Sequence, residues 1–142
     1  MIALISIMAA ACAPQTPKIT PTFLWALAKV ERSAGSQNGS DGELGPFQIR
    51  MIYLKDVNRI LREDRFSPVD RKSWQKSAQM TRVYLTFWGA YWEKKGFKLS
   101  LEDYCAMHRW GGPAWKPSRK LTKIDRQRSG KLRYYMDRAK LR

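Results

Sequence analysis

A long run of apolar and aromatic residues between Ser73 and Lys95 constrains the fold of this chain most strongly. At a helical repeat of 3.6 residues, the run presents apolar side chains on two sides. One side consists of Trp74, Ala78, Leu85, Trp88 and Trp92, and the other of Met80, Tyr84, Phe87 and Tyr91. A helix that is apolar around most of its circumference is typical of the buried centre of an all-α domain. The run therefore predicts a mainly α fold built around a buried central helix.

Two helices are predicted before this run. Thr20-Pro21 combines a capping residue with proline at the first helical position, and this first helix is expected to end near Gly35. The second helix is marked by apolar spacing at Ile52, Tyr53, Val57, Ile60 and Leu61. Between them, residues 36–45 are rich in glycine and predict a loop or at most a small hairpin.

Two further helices are predicted after the run. Ser100 to Asp103 resembles a capping box that opens a fourth helix, and Gly111-Gly112-Pro113 ends it. A docked terminal helix is indicated by Leu132, Tyr135, Met136 and Ala139.

Residues 1–17 form a distinct N-terminal segment. Met1 to Ala13 is apolar apart from Ser6 and ends in small residues, as the apolar part of a secretory signal does. The stretch is too short to span a membrane, and Cys12 after three alanines resembles a lipoprotein processing site. We therefore expect an exported protein of the periplasm, the extracellular space or the cell envelope, with its folded domain in residues 18–142.

The net charge of +15 bears on binding partners and not on the fold. Nucleic acid, an anionic membrane and the acidic polymers of the bacterial envelope all fit such a charge. Much of it lies in a basic C-terminal extension of about residues 116–142, which is also typical of a solvated helical face. The remaining Cys105 has no neighbouring ligand set for zinc, so we expect neither a metal nor a cofactor, and we expect a monomer.

Glu31 is the leading candidate for catalysis. It follows Leu24 by seven positions and Ala28 by three, which places it on the apolar face of the first helix. Burial disfavours the charged form of a carboxylate, and this is the condition that a general acid needs near neutral pH. The plainer interpretation is a surface glutamate that pairs with Lys29 or Arg32.

Two later stretches carry polar groups suited to a sugar ligand. In Leu44-Gly45-Pro46-Phe47-Gln48-Ile49, glycine allows close backbone approach, and Gln48 offers both a donor and an acceptor. In Ala106 through Pro113, His108, Arg109 and Trp110 stand at a predicted helix end. A plain turn and a plain helix stop are the simpler interpretations.

Together these stretches resemble the lysozyme-like superfamily, in its branch of lytic transglycosylases and goose-type lysozymes. That family has a helix ending in glutamate, a glycine-rich loop, a Gly-Leu-Met-Gln-Ile segment and a late Ala-Tyr-Asn-Ala-Gly or Asn-Gly-Gly-Pro segment. The counterparts here are Val30-Glu31-Arg32, residues 44–49 and residues 106–113, and Asp56-Val57-Asn58-Arg59-Ile60 resembles small phage and bacterial members. The resemblance covers about residues 20–117.

The resemblance implies a lysozyme-like fold in which Glu31 is the acid and base. The implied substrate-binding residues are Phe47, Gln48, Ile49, Tyr84, His108, Arg109, Trp110 and Gly111. Arg32 replaces a frequent serine, and Arg109 and Trp110 replace the Tyr-Asn pair whose tyrosine orients the glutamate. Arg109, His108 and Tyr84 are alternative groups for holding Glu31.

The implied substrate is peptidoglycan, cleaved at the β-1,4 bond between MurNAc and GlcNAc. A lytic transglycosylase needs one carboxylate and forms 1,6-anhydro-MurNAc, and we favour this reaction. A hydrolytic lysozyme uses a second carboxylate, for which Asp41 and Glu43 are the candidates.

Two other classes of function compete with this one. The basic C-terminal residues could contact nucleic-acid phosphates, although the aromatic residues cluster in a helix predicted to be buried, and we expect no specific nucleic-acid partner. Alternatively, a lysozyme-like fold with the unusual Arg32 and Arg109 could bind glycan without cutting it.

Overall fold

The computed structural model describes residues 18–33, 42–117 and 120–140. Within these ranges the chain forms five α-helices and one short 3-10 helix, and it contains no β-strand. The α-helices are α1 (Pro21–Ser33), α2 (Met51–Leu61), α3 (Trp74–Lys94), α4 (Leu101–Trp110) and α5 (Lys123–Ala139), and the 3-10 helix (Pro68–Lys72) precedes α3. The prediction of a mainly α fold is confirmed. The predicted signal segment, including Cys12, lies outside the described residues.

The predicted helix starts are formed by side-chain caps. The Thr20 hydroxyl accepts a hydrogen bond from the backbone N–H of Phe23 at 3.1 Å, which caps α1. At the start of α4, Ser100 and Asp103 form the expected reciprocal capping box. These bonds satisfy N–H groups that have no partner within the helix. None of the helices in the described ranges is long and apolar enough to cross a membrane.

The terminal helix is longer than its apolar residues indicated. It begins at Lys123, where Thr122 and Asp125 form a second capping box that the sequence analysis missed. Its first half turns buried polar side chains inward, among them Arg128, so no apolar pattern marks it. Helix α5 packs against α1 and α4, and it is therefore part of the packed domain as well as the carrier of basic surface residues.

The core lies between α5, α1 and α4 on one side and α2 and α3 on the other. Its largest fully buried side chains come from all five α-helices, with Val57 as the one from α2, and from the turn before α2. They include Phe23 and Leu27 of α1, Phe47 and Ile49 of the turn, Met80 and Leu85 of α3, Tyr104 and Met107 of α4, and Leu132 of α5. Cys105 is also buried, as expected for a small apolar residue, and is a free thiol.

Helix α3 is buried only over its middle part. Met80, Tyr84 and Leu85 lie in the core, whereas Phe87 and Tyr91 are about two-fifths exposed. The exposed rings pack edge to face on their neighbours, and the side chains of arginine and lysine cover them. Aromatic rings can cover one another in this way without leaving the surface. The prediction of a buried central helix therefore holds for the middle of α3 and is wrong for its two ends, where Trp74 and Tyr91 are exposed.

Candidate active site

An open cleft of about 880 Å³ lies where all five α-helices and the turn before α2 meet. Of the residues predicted to bind or act on substrate, those that line it are Glu31, Glu43, Gln48, Tyr84, His108, Arg109, Trp110 and Gly111. The cleft thus brings together residues from three separate stretches of the sequence. Asp41, the other predicted second carboxylate, lies outside the described residues.

Glu31 lies in the last turns of α1 with 7% of its surface exposed. Its Oε1 atom accepts a hydrogen bond from the Arg128 guanidinium of α5, and the two side chains form a buried ion pair. The interpretation of Glu31 as a surface residue paired with Lys29 or Arg32 was wrong, because helix α5 covers this face of α1. Lys29 instead lies over the Trp25 ring, and Arg32 is exposed.

Arg109 does not hold Glu31, although the sequence analysis considered it for that role. Its Nη1 atom lies 3.1 Å from Oδ1 of Asp125, to which the Trp110 indole also donates at 3.0 Å. Burial raises the pKa of Asp125, but hydrogen bonds from Thr122, Trp110 and Arg109 outweigh it and hold the pKa below its usual range. Asp125 therefore joins the end of α4 to the first turn of α5.

His108 is a buried neutral imidazole whose tautomer follows from its contacts. Its Nε2 atom lies 2.9 Å from the backbone oxygen of Phe47, and a carbonyl can only accept, so Nε2 carries the proton. The bare Nδ1 then accepts from the Tyr53 hydroxyl at 3.0 Å. Nε2 also lies 3.9 Å from Oε1 of Glu31, which is beyond hydrogen-bonding distance. His108 thus packs beside the carboxylate without competing with Arg128 for it.

Burial lowers the pKa of His108, and the proximity of Glu31 and the bond to Phe47 do not offset this effect. An unfolded chain binds the proton near pH 6.5, whereas the folded chain binds it only at lower pH, so stability falls as the pH drops below about 6.5. The free energy of unfolding changes by at most about 1.4 kcal/mol per pH unit from this cause. The change ends once the pH is below the pKa of His108 in the folded chain.

His108 is the chain's one histidine, so urea unfolding between about pH 5 and pH 7 should report it directly. The His108→Gln variant keeps a donor for the Phe47 carbonyl but cannot titrate, and its free energy of unfolding should change little in this range. An equal slope in both proteins would contradict the assignment of a neutral His108.

Tyr84 lines the opposite wall of the cleft. Its ring stacks on Tyr53 with the centroids 3.7 Å apart, and its hydroxyl accepts from the backbone N–H of Gly112 at 2.7 Å. Gly111, which ends α4, has a φ of 89° and contributes backbone to the same wall. Tyr84 therefore supports the turn after α4 and does not hold Glu31.

The turn before α2 places Gln48 in the cleft and its two neighbours in the core. Gln48 adopts a φ of 50°, unusual for a residue other than glycine, and its Nε2 donates to the backbone oxygen of Gly45 at 2.8 Å. Phe47 and Ile49 are almost completely buried and do not line the cleft, contrary to the prediction. Because the chain makes a tight turn here, closed by a bridge between Leu44 and Ile49, neighbouring side chains point in different directions.

Arg71 of the 3-10 helix fastens this turn to the domain. Its buried guanidinium donates to the backbone oxygens of Gly42 and Ile49 at 3.0 and 2.9 Å. The backbone oxygen of Arg71 leaves no room for a Cβ atom at Gly45, where φ is +80°. Of the loop or hairpin predicted at residues 36–45, the structure describes residues 42–45. Residues 44 and 45 belong to a turn that covers residues 44–49.

Two further carboxylates line the cleft. Glu43 accepts from Nε of Arg50 at 3.0 Å, which holds it as a paired carboxylate near the rim. Asp56 of α2 accepts from the Trp88 indole at 2.8 Å and from Arg59. Asp56 begins the segment that resembles small phage and bacterial members of the family, but it was not predicted as a site residue.

Arg128 and Tyr53 were not predicted as site residues, although the sequence contains a signal for Arg128. Asp125, Arg128 and Leu132 recur at spacings of three and four, so they share one face of α5. Arg128 precedes Leu132 by four positions and Tyr135 by seven, so it lies on the apolar face of α5 as Glu31 lies on that of α1. Its position in a strongly basic segment suggested a solvated residue and hid this signal.

Comparison of the chain with models of protein families, with curated proteins and with solved structures found no match in any of the three. Within the described residues, no group of three or more histidine, cysteine, aspartate or glutamate side chains could hold a metal ion.

Proposed function

We propose that this protein is a peptidoglycan-cleaving muramidase with a lysozyme-like fold, which acts on the β-1,4 bond between MurNAc and GlcNAc. The observation that carries this proposal is the position of Glu31, a buried carboxylate on the wall of an open cleft large enough for sugar rings. Clefts of several hundred Å³ with a few converging polar groups are the usual form of ligand sites.

The polar groups around Glu31 suit a glycan. Gln48 presents an amide to the cleft, and the half-buried Trp110 supplies aromatic surface beside it. Amides bind hydroxyl and N-acetyl groups of sugars, and aromatic rings pack on their apolar faces. The rim also carries Arg50, Lys55 and Arg59, which would attract the carboxylates of stem peptides or other anionic envelope polymers.

In the favoured reaction Glu31 acts twice. Its carboxyl proton passes to the glycosidic oxygen, and the C1–O bond breaks with help from the N-acetyl oxygen of MurNAc. The Glu31 carboxylate then takes the proton of the C6 hydroxyl, and O6 forms the new bond to C1. The products are 1,6-anhydro-MurNAc and a shortened strand, and Glu31 regains its proton without a second carboxylate.

The position of Glu43 favours a hydrolytic lysozyme as the second candidate function. It lines the same cleft as Glu31, and its pairing with Arg50 favours the charged form that a base for water requires.

The test is digestion of purified peptidoglycan by the wild-type protein, with the soluble products examined by mass spectrometry. Anhydro-muropeptides are expected, and reducing muropeptides would instead establish hydrolysis. Co-sedimentation with peptidoglycan in the absence of any released product would show a binding protein and overturn the proposed activity.

A further inference from the structure

The ion pair between Glu31 and Arg128 joins two helices across the cleft wall. The residues lie 97 positions apart in the chain, and each is more than nine-tenths buried. Withdrawing two charges from water is costly, and removing one partner leaves the other buried without compensation. Replacing either partner therefore changes the electrostatic surroundings of the other.

Three titratable groups that interact with Glu31 from α2 and α4 are neutral. His108 of α4 has its pKa lowered by burial, and burial raises the pKa of the Cys105 thiol on the same helix to about 12. Burial also raises the pKa of Tyr53 on α2 well above its ordinary value. In the part of the chain that the structure describes, Arg128 is thus the charged partner of Glu31 at neutral pH.

Two contacts on α5 hold Arg128 in place. One turn before it, Asp125 is bonded to Arg109 and Trp110 of α4. One turn after it, Leu132 is buried in the core. Burial lowers the pKa of Arg128, but the charge and hydrogen bond of Glu31 outweigh this and raise it, so the guanidinium stays charged. The arginine is therefore a fixed positive charge directed at Glu31.

We propose that Arg128 is the positioning residue of this site, which fixes the Glu31 carboxylate and sets the highest pH at which Glu31 donates a proton. The inference rests on the proposed function. On this basis, kcat/KM falls with rising pH as Glu31 loses its proton, and this fall is the alkaline limb of the pH profile. With Arg128 present, the limb lies at lower pH than it would lie in a protein without Arg128. Activity without Arg128 then extends to higher pH.

The test compares the pH profiles of kcat/KM for peptidoglycan in four variants between about pH 4 and pH 9. In Arg128→Gln and Arg128→Met the alkaline limb should move upward by at least about one pH unit, since a neighbouring opposite charge is worth 1–3 units. Arg128→Lys retains the charge, and its limb should stay near that of the wild type. Arg133 lies on the same helix as Arg128, and Arg133→Gln removes an ion pair at the surface with Glu102 of α4, so it should leave the profile unchanged.

An unchanged limb with uniformly lower activity in Arg128→Gln or Arg128→Met would overturn the proposal and show a structural role alone. A second readout does not require activity. The carboxyl carbon signal of Glu31, assigned through Glu31→Gln, should titrate at higher pH in Arg128→Gln than in the wild type. If the wild type cleaves nothing but this shift is present, the proposed function fails while the electrostatic role of Arg128 stands. If cleavage is present without the shift, the role of Arg128 fails.

Discussion

The Glu31→Gln variant is expected to release soluble muropeptides roughly 10²- to 10⁴-fold more slowly than the wild type, the range found for loss of a general acid and base. Glutamine has the same shape and its amide oxygen can still accept from Arg128, but it carries no proton to donate at the glycosidic oxygen. Substrate binding should change little, whereas the free energy of unfolding should fall, since Arg128 is left buried without its opposite charge. The measurement is the initial rate of muropeptide release, with co-sedimentation to record binding.

Glu43→Gln is the matched control, because it removes a carboxylate from the same cleft. In the one-carboxylate reaction this variant should keep most of the wild-type rate and still form anhydro products. A comparable loss in Glu43→Gln would favour hydrolysis, and a fully active Glu31→Gln would remove Glu31 from the reaction.

The second large effect is expected from Gly45→Ala, which should lower the free energy of unfolding by roughly 3 kcal/mol. A Cβ atom at this position would lie 1.8 Å from the backbone oxygen of Arg71, and φ is +80°. The turn must then move away from the 3-10 helix, which also displaces Gln48 from the cleft. Urea unfolding measures the loss, and muropeptide release should decline with it.

Gly42→Ala separates the clash from the backbone strain. Gly42 has a similar φ of +77°, but no atom of the described residues lies within 4 Å of its Cβ position. The strain alone costs roughly 1 to 2 kcal/mol. Equal destabilisation by the two alanine substitutions would mean that the turn does not pack on Arg71 as described.

The helices could be predicted from the sequence because their signals are local. The start of α1 at Thr20 and the start of α4 at Ser100 depend on hydrogen bonds to residues within one helical turn, and the end of α4 is equally local. Helical phasing placed Glu31 on an apolar face for the same reason. The start of α5 was missed, since its inward face is polar in the first two turns and its capping residue Thr122 follows a long basic stretch.

The contacts that organise the site could not be predicted, because they join distant parts of the chain. Phasing shows that Glu31 faces inward but not that α5 covers it. Arg109 binds Asp125 and not Glu31, and this choice depends on how α4 and α5 cross. The burial of Phe47 and Ile49 beside an accessible Gln48 depends on the turn conformation, which a sequence motif does not specify.

The ion pair between α1 and α5 also has a consequence for biosynthesis. Because Arg128 follows Glu31 by 97 positions, a ribosome that adds 5–20 residues per second makes the arginine roughly 5 to 20 s after the glutamate. During that interval the face of α1 that α5 covers in the finished domain is exposed on the nascent chain. We therefore expect that this face of α1 becomes covered only after the last turns of α5 have left the ribosome.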